Sequence, residues 1–253
     1  MKFTIQAACG CNMGKIRKNN EDNFLFDGKC LEEKNEGLRN PVWIEDTLKN
    51  GFCVAVFDGM GGEQFGECAS YAAARQMQEA QRSLADYFVS ERKYLLRLTD
   101  QLHRVVLEEQ NKMQTEHMGT TMVALYFSGH SVYVCNVGDS RAYRLREGEF
   151  LQLSQDHVEK RPGRDGSKAP LTQHLGFGGG EIELEPYIAK GKIKAGDIYL
   201  LCSDGVTDML TNFEIADILL TQQDPEACVQ ELIRAACEKG GKDNITAIVC
   251  KLG

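Results

Sequence analysis

The amino-acid sequence predicts an α+β fold in which antiparallel sheets carry helices on their outer faces. Strand-like segments occur in groups, helical segments also occur in groups, and no βαβ alternation is present. The 253 residues are 42% hydrophobic and 26% charged, which is typical of a globular protein. Because no internal repeat, low-complexity tract or linker interrupts the chain, we expect a single domain spanning residues 1–253.

The first part of the chain is predicted to be rich in strands and then helical. Alternating or continuous apolar residues predict strands at 3–8, 23–27 and 52–57, with an insertion at 29–50 that carries no predicted element. From Gly66 onward, apolar residues recur every three or four positions, first to Phe88 and then from Leu95 to Val106. This spacing predicts two successive amphipathic helices.

The second part of the chain repeats this order. A meander of strands is predicted at 121–127, 131–136, 142–145 and 150–153, followed by a long loop at 156–180. Strands at 187–190 and 198–202 precede helices at 213–220 and 225–238, where Asp224 and Pro225 suit a helix start. A strand at 245–250 closes the fold.

Charge and cysteine content exclude several classes of protein. A formal charge of −8 repels nucleic acids and anionic membranes. No apolar run approaches the roughly 20 residues that cross a bilayer, and the chain starts without a signal peptide, so we expect a cytoplasmic monomer.

The ten cysteines lie in apolar segments without a paired C-x-x-C motif, which predicts buried free thiols and no zinc site.

Acidic residues stand at the ends of the predicted strands. Asp58 and Asp204 each follow an apolar strand and precede a glycine, Asp139 follows a third strand, and Asp243 precedes the last one. Glu21 and Asp22 together precede the strand at 23–27. A single Asp-Gly pair is most often only a turn, but strands this apolar draw their ends toward the core. The repetition therefore predicts that the acids converge.

Converging carboxylates require a cation among them. Two like charges about 4 Å apart repel by roughly 4 kcal/mol at an effective dielectric constant near 20. Oxygen ligands without histidine or cysteine favour Mg²⁺ or Mn²⁺, and two such ions that share an aspartate activate water for displacement at phosphorus. Arg17, four residues before Glu21, is placed to bind phosphate oxygens. The predicted reaction is the hydrolysis of a phosphate ester.

Six segments in order resemble the metal-dependent protein phosphatases, the type 2C serine/threonine phosphatase family, and in particular its bacterial members. The resemblance extends along essentially the whole chain and implies a four-layer αββα fold, with a central sandwich of two antiparallel sheets flanked by pairs of helices. The six segments are 17–22 (RKNNED), 56–62 (VFDGMGG), 119–121 (GTT), 137–141 (VGDSR), 203–205 (SDG) and 243–246 (DNIT).

The resemblance also implies a role for each acidic residue. Asp58 would bridge two Mn²⁺ or Mg²⁺ ions, Gly59 would offer its carbonyl to one, and Asp204 and Asp243 would complete the other. Asp139 would share a third, weaker ion with Asp204. Glu21 and Asp22 would orient water on the ions. The resemblance further implies that a metal-bridging hydroxide attacks the phosphorus while Arg17 holds the phosphate, and that the substrates are phosphoserine and phosphothreonine proteins of a serine/threonine kinase.

Two features depart from the family pattern. Some members have a histidine at the position of Met60 that is proposed to protonate the leaving group, and a methionine cannot donate a proton. The segment that forms a flap in the family is short here and basic, at residues 160–168. It is either a solvated loop or a lip that recognises acidic or phosphorylated substrate.

Two rival interpretations remain open from the sequence. Cys11 and Arg17 have the C-x5-R spacing of cysteine-dependent phosphatases, although no histidine precedes Cys11 and no Ser or Thr follows Arg17. Alternatively, the chain is a pseudophosphatase that binds phosphoproteins without hydrolysis. The presence of all four candidate metal aspartates favours catalysis.

Overall fold

Two antiparallel sheets form the centre of the fold. The computed structural model describes residues 3–49, 51–60, 65–82, 90–115, 117–160, 169–180, 183–222 and 224–253. Within these ranges the strands are β1 (Thr4–Asn12), β2 (Asp22–Leu25), β3 (Val42–Thr47), β4 (Phe52–Met60), β5 (Gly119–Thr120), β6 (Met122–Ser128), β7 (Ser131–Val137), β8 (Arg141–Arg146), β9 (Glu149–Gln152), β10 (Tyr187–Lys192), β11 (Ile198–Cys202) and β12 (Ile245–Leu252).

The strand order confirms the predicted antiparallel arrangement. The first sheet has the order β3-β1-β12-β11-β8-β9, and the second has the order β10-β7-β6-β4-β2, with β5 paired to β4. Every pairing is antiparallel, as in the alignment of Ala7 with Cys250 and of Leu200 with Val249. The five helices in the described ranges are α1 (Gly66–Arg82), α2 (Glu91–Met113), α3 (Asp204–Thr207), α4 (Asn212–Thr221) and α5 (Pro225–Glu238).

Three buried clusters hold four layers together. Residues such as Val54, Leu125 and Ile248 form the cluster between the two sheets. Met77 and Leu102 belong to the cluster that joins α1 and α2 to the second sheet, while the third joins α4 and α5 to the first sheet. Each fully buried aliphatic side chain contributes about 1.5–3 kcal/mol. The predicted αββα order is therefore confirmed, with both sheets inside.

The helix starts follow the local sequence. Asp224 accepts a hydrogen bond from the Ala227 amide at 2.8 Å and Pro225 occupies the first turn, as predicted for α5. At α4, Thr211 and Glu214 form a capping box. The predicted periodicity across 84–88 lies outside the described residues.

Strand β3 and helix α3 are among the elements that were not predicted. The insertion at 29–50 contains β3, which lies at the edge of the first sheet beside β1. Its sequence, VWIEDT, does not alternate apolar and polar residues, so periodicity does not identify it. Helix α3 spans only four residues, too few to show a helical period. In the predicted loop at 156–180, Val158 pairs with Leu171 through an isolated bridge, and residues 161–168 are outside the described ranges.

The cysteines are free thiols, as predicted. Cys30 and Cys237 are half-buried, and the other eight are buried. Among the described residues, no helix has both the length and the apolar character that a membrane span requires.

A buried ion pair links β8 to the turn before β11. Nε and Nη2 of Arg146 each donate to an Asp197 carboxylate oxygen at 2.6 Å, and the Asp197 side chain is fully buried. Asp197 also accepts from the Lys194 amide at 2.8 Å and the Tyr199 hydroxyl at 3.0 Å. Burial alone would raise the pKa of Asp197, but these partners, with Arg146 foremost, lower it below the ordinary value.

We expect Asp197→Asn to lower the free energy of unfolding at pH 7 by about 3 kcal/mol, because it leaves Arg146 without its charged partner. Since the folded pKa lies below the unfolded one, this stabilisation is complete above about pH 4 and is lost as the pH falls through the folded pKa. Urea unfolding of both proteins from pH 7 to pH 3 measures the difference.

The control is Glu149→Gln, which removes an exposed partner of Arg144 and should cost no more than about 0.5 kcal/mol. A difference between wild type and Asp197→Asn that stays constant down to pH 3 would contradict the assignment.

Candidate active site

Acidic residues from both sheets meet at one end of the sandwich. Asp22 begins β2 and is the cross-strand partner of Asp58 near the end of β4. Asp204 stands two residues after the end of β11 and begins α3, and Asp243 stands two residues before β12, the neighbour of β11. Because β2 and β4 belong to one sheet and β11 and β12 to the other, the two sheets contribute two acids each.

Arg17 lies among these carboxylates. Its Nη2 donates to Asp243 Oδ2 at 2.7 Å, while its side chain stays 45% exposed. Partial burial works against the charge of Arg17, yet the pKa of the guanidinium is raised because Asp243 accepts its hydrogen bond and because Glu21 and Asp58 add negative charge nearby. Arg17 thus neutralises part of the acidic centre while it remains accessible to a ligand.

Glu21 belongs to the same electrostatic group. Burial raises the pKa of the Glu21 carboxyl, the Arg17 charge lowers it, and the charges of Glu67 and Asp243 raise it further, so that the net shift is upward. Its Oε2 would lie 2.9 Å from a Cβ placed on Gly66, which begins α1. The Glu21 side chain therefore packs against the start of that helix.

The side chain of Asn244 fixes the loop that carries Arg17 and Glu21. Its Oδ1 accepts from the Glu21 amide at 2.8 Å, and its Nδ2 donates to the carbonyls of Met13 and Asn19 at 2.9 and 3.0 Å. Asn244 is buried, so each of these bonds is made away from water. The loop position consequently depends on one carboxamide next to Asp243.

The buried carboxylate of Asp22 joins the two sheets. Its Oδ2 accepts from Ser203 Oγ at 2.8 Å and from Thr246 Oγ1 at 2.7 Å, and these residues stand at the end of β11 and on β12. Burial raises the pKa of Asp22 to about 7, although the two hydroxyls lower it, and the charges of Asp243 and Glu21 add to the rise.

The backbone around Asp58 is held on both sides. Its amide donates to Thr121 Oγ1 at 3.1 Å, and its carbonyl accepts from the Thr121 amide at 2.9 Å and from Thr120 Oγ1 at 3.0 Å. A Cβ added to Gly59 would lie 2.2 Å from the Gly66 carbonyl oxygen, so only glycine fits there. These contacts set the direction in which the chain leaves β4.

Asp204 is placed by the glycine that follows it. A Cβ on Gly205 would lie 1.9 Å from the carbonyl oxygen of Asn244, which shows how closely α3 approaches the segment that carries Asp243. Ser203, immediately before Asp204, donates to Asp22 as described above. The backbones that carry Asp204 and Asp243 are therefore in direct contact.

Asp139 lies in a turn that is linked to the site through its neighbour. Ser140 Oγ is 2.7 Å from Thr121 Oγ1, and the Thr121 amide in turn binds the carbonyl of Asp58. Gly138 has a positive φ of 99°, a conformation that favours glycine, and its amide donates to His157 Nδ1 at 3.1 Å. This turn is thus anchored on both sides of Asp139.

The donor set fits hard divalent cations. The acidic residues at this end of the sandwich include Asp58, Asp204 and Asp243. With the carbonyl of Gly59 they offer oxygen ligands without imidazole or thiolate, a donor set that suits Mg²⁺ or Mn²⁺. Across the described ranges, no group of three or more His, Cys, Asp or Glu side chains is arranged so that it could hold a metal ion.

The environment of Cys11 does not suit a nucleophilic thiolate. The residue is buried, and burial together with the charge of Asp22 raises the pKa of its thiol to about 12, even though Thr246 and Asn20 act in the opposite direction. A reactive cysteine requires a lowered pKa and exposure to substrate. The geometry therefore opposes the cysteine-dependent interpretation.

Two parts of the predicted site are only partly described. Met60 ends β4 opposite Gly119, but the glycines at 61–62 lie outside the described residues. Of the basic segment at 160–168, the structure describes Lys160 alone, and it is exposed. Both interpretations of that segment stay open.

Comparison with known proteins decides the family. The family model of protein phosphatase 2C matches residues 43–236. The chain belongs to the protein phosphatase 2C family. It is 31% identical to the serine/threonine phosphatase stp of Listeria welshimeri, over 93% of this chain and 91% of that one. The predicted resemblance is confirmed.

Solved structures agree with this phosphatase 2C fold. The catalytic domain of the serine threonine protein phosphatase PstP, solved in complex with 2 manganese ions, has a TM-score of 0.75 and 27% identity, with 99% of each chain covered. The S. agalactiae serine/threonine phosphatase has a TM-score of 0.76 and 25% identity, with 98% of this chain and 99% of that one covered.

Several residues that organise the phosphatase site received no role from the sequence. Asn244, Ser203, Thr246 and Thr121 all fall within the six recognised segments, but their function is to hold other residues through hydrogen bonds. Each is a buried polar residue within or beside an apolar strand. That mismatch is the signal that could have identified them, because buried polar groups need partners.

We expect Asn244→Ala to release the 13–21 loop of the phosphatase. The change leaves the Glu21 amide and two carbonyls without partners, which should lower the free energy of unfolding by about 2–3 kcal/mol and speed amide hydrogen exchange in residues 13–21.

Asn244→Asp is the matched variant, because it keeps the acceptor for Glu21 but cannot donate to Met13 and Asn19. Its effect should be at least as large as that of Asn244→Ala, because a buried carboxylate oxygen would face these two carbonyl oxygens and add negative charge beside Asp243. Unchanged exchange in residues 13–21 of Asn244→Ala would show that this loop is held by other contacts.

Proposed function

We propose that this chain is a metal-dependent serine/threonine protein phosphatase that hydrolyses phosphoserine and phosphothreonine in proteins. The observation that carries the proposal is the position of Arg17, which is 45% exposed, 2.7 Å from Asp243 and close enough to Glu21 and Asp58 for their charges to raise its pKa. A cation that can bind phosphate thus lies beside oxygen ligands that can bind divalent metal. Membership of the protein phosphatase 2C family supports the same reaction.

The metal ligands in this proposal are Asp58, the Gly59 carbonyl, Asp204 and Asp243. When bound, a pair of Mn²⁺ or Mg²⁺ ions supplies Lewis-acid activation of water and neutralises charge on the phosphate. Support comes from the all-oxygen donor set and from PstP, whose structure is described with 2 manganese ions. Asp139 would serve a third, weaker ion together with Asp204.

Arg17 would bind the phosphate group of the substrate. Its guanidinium can donate two parallel hydrogen bonds to phosphate oxygens, a geometry that lysine lacks. The hydrogen bond to Asp243 orients the side chain before substrate arrives. Because Asn244 fixes the loop through Met13, Asn19 and Glu21, Arg17 is held at a defined place over the acids.

Glu21 and Asp22 would position water rather than contact the phosphate. The Asp22 carboxylate is buried and accepts from two hydroxyls, which leaves it little freedom to move. Met60 carries no proton to give to the leaving alkoxide, so we assign that proton to water at the site.

The substrates would be phosphorylated proteins, produced by a serine/threonine kinase. We further propose that residues 1–253 act as one catalytic domain, monomeric and cytoplasmic, in phosphorylation signalling. A pseudophosphatase would share the fold and the binding of phosphoproteins but would show no turnover of p-nitrophenyl phosphate at any Mn²⁺ concentration. The presence of Asp58, Asp139, Asp204 and Asp243 favours the enzyme.

We expect Asp204→Asn and Asp243→Asn each to reduce turnover of p-nitrophenyl phosphate with Mn²⁺ by roughly a thousandfold. Loss of a metal carboxylate removes several kcal/mol of transition-state stabilisation. Circular dichroism should show an unchanged fold. Asp208→Asn, an exposed aspartate four residues after Asp204, is the control and should keep wild-type turnover. Wild-type rates in either site variant would refute the ligand assignment.

Chelation and alkylation should separate the metal-dependent reaction from a thiol-dependent one. We expect EDTA to abolish turnover and added Mn²⁺ to restore it. Iodoacetamide should leave the rate unchanged, because Cys11 is buried with a raised pKa and the accessible thiols, Cys30 and Cys237, lie outside the site. Inactivation by iodoacetamide that substrate prevents would favour the cysteine mechanism.

A further inference from the structure

The edge strand β3 exposes an unusual pair of apolar residues. Trp43 is 61% exposed and Val42 is 41% exposed, at the outer edge of the first sheet. Tryptophan is largely buried in most proteins, and an edge strand offers backbone groups that can pair with another chain. Adjacent exposed apolar residues on such an edge mark an interaction surface.

The outer face of β3 borders an acidic pocket. Trp43 is the partner of Ala8, which packs in the layer of α4 and α5, so its side chain lies on the helix side of the sheet. A pocket of about 280 Å³ lies there, bounded by Trp43, Gln6 and the acidic residues Asp224 and Glu226 at the start of α5.

Glu45 stands two residues after Trp43 and therefore lies on the same face. Its Oε2 accepts from Gln6 Nε2 at 3.4 Å, which brings the carboxylate to the rim of this pocket. The described lining contains acidic but no basic side chains. Asp224 already caps α5, so Glu45 and Glu226 supply the charge that a ligand would meet.

The inner face of the same strand borders an apolar pocket. Val42 is the partner of Cys9, which belongs to the cluster between the sheets. A pocket of about 390 Å³ lies on this side, with Phe24, Phe26, Leu31 and Leu38 among its lining residues. Strand β3 therefore lies between two pockets that share Trp43 and Ile44: one has acidic residues at its rim, and the other is lined mainly by apolar side chains, with Asp27 and Lys29 also present.

We propose that β3 binds an extended peptide segment of a partner protein that carries a lysine or arginine next to an aliphatic residue. A strand added to a sheet edge directs successive side chains to opposite faces, so the two pockets would bind the side chains of adjacent peptide residues. The basic side chain would meet Glu45 and Glu226 and lie over the Trp43 ring as a cation–π pair. The acids disfavour a second copy of this chain, which carries the same charges.

Trp43 is the only tryptophan in the sequence, so its emission reports directly on this surface. The probe is a fluorescein-labelled peptide, Gly-Thr-Ile-Lys-Val-Lys-Thr-Gly, titrated against the full chain with and without Mn²⁺. Its counterpart carries glutamate in place of both lysines. We expect saturable binding of the lysine peptide with a change in Trp43 emission, and no binding of the glutamate peptide.

Trp43→Ala and Glu45→Lys should each weaken binding of the lysine peptide by about tenfold. Glu147→Lys makes the same charge change in the exposed turn between β8 and β9, toward the opposite edge of the sheet, and should leave the affinity unchanged. All three variants should retain the circular dichroism spectrum and thermal unfolding transition of the wild type, which shows that they fold.

Three results would overturn the proposal: equal binding of both peptides, wild-type affinity in Trp43→Ala and Glu45→Lys, or dimerisation by sedimentation that buries Trp43 in the absence of peptide. Because binding is measured directly, the result does not depend on the proposed phosphatase activity.

Discussion

The hydroxyls of Ser203 and Thr246 both donate to the buried carboxylate of Asp22, and this contact connects the two sheets where their acidic ends meet. Asp22 begins a strand of one sheet, while its partners belong to the other. Without such a link, the negative charges of Asp58 and Asp243 would favour separation of these edges. Arg17 provides the opposing positive charge. The buried residues Asp22, Ser203 and Thr246 therefore belong both to the active site and to the packed interior of the sandwich.

Backbone packing adds a second constraint on the same region. Gly59 and Gly205 each occupy a place where a Cβ would come within 2.2 Å of a carbonyl oxygen, and these contacts involve Gly66 and Asn244. The glycine that follows Asp58 near the end of β4, like the glycine that follows Asp204 after β11, thus does more than permit a turn. It allows helices α1 and α3 to begin directly beside the acids, so the helical layers and the site are positioned by the same contacts.

Much of this arrangement was predictable because it rests on local patterns. The apolar segments before Asp58 and Asp204 predicted two strands, which the structure contains as β4 and β11. The family resemblance is also confirmed. The edge strand β3 was missed because an edge strand with an exposed tryptophan does not alternate. The hydrogen bonds of Asn244 to Met13, Asn19 and Glu21 were missed because these residues are more than 220 positions away in sequence. A local hydrophobic pattern carries no information about such distant contacts.

The ten free thiols are distributed over both sheets and both helical layers, as Cys9, Cys135, Cys68 and Cys228 illustrate. Eight of them are closed to solvent in the native protein. A pulse of alkylating reagent, followed by peptide mapping, would label each buried thiol only when the layer around it opens. The chain thus carries its own set of site-resolved probes for partial unfolding, without any engineered label.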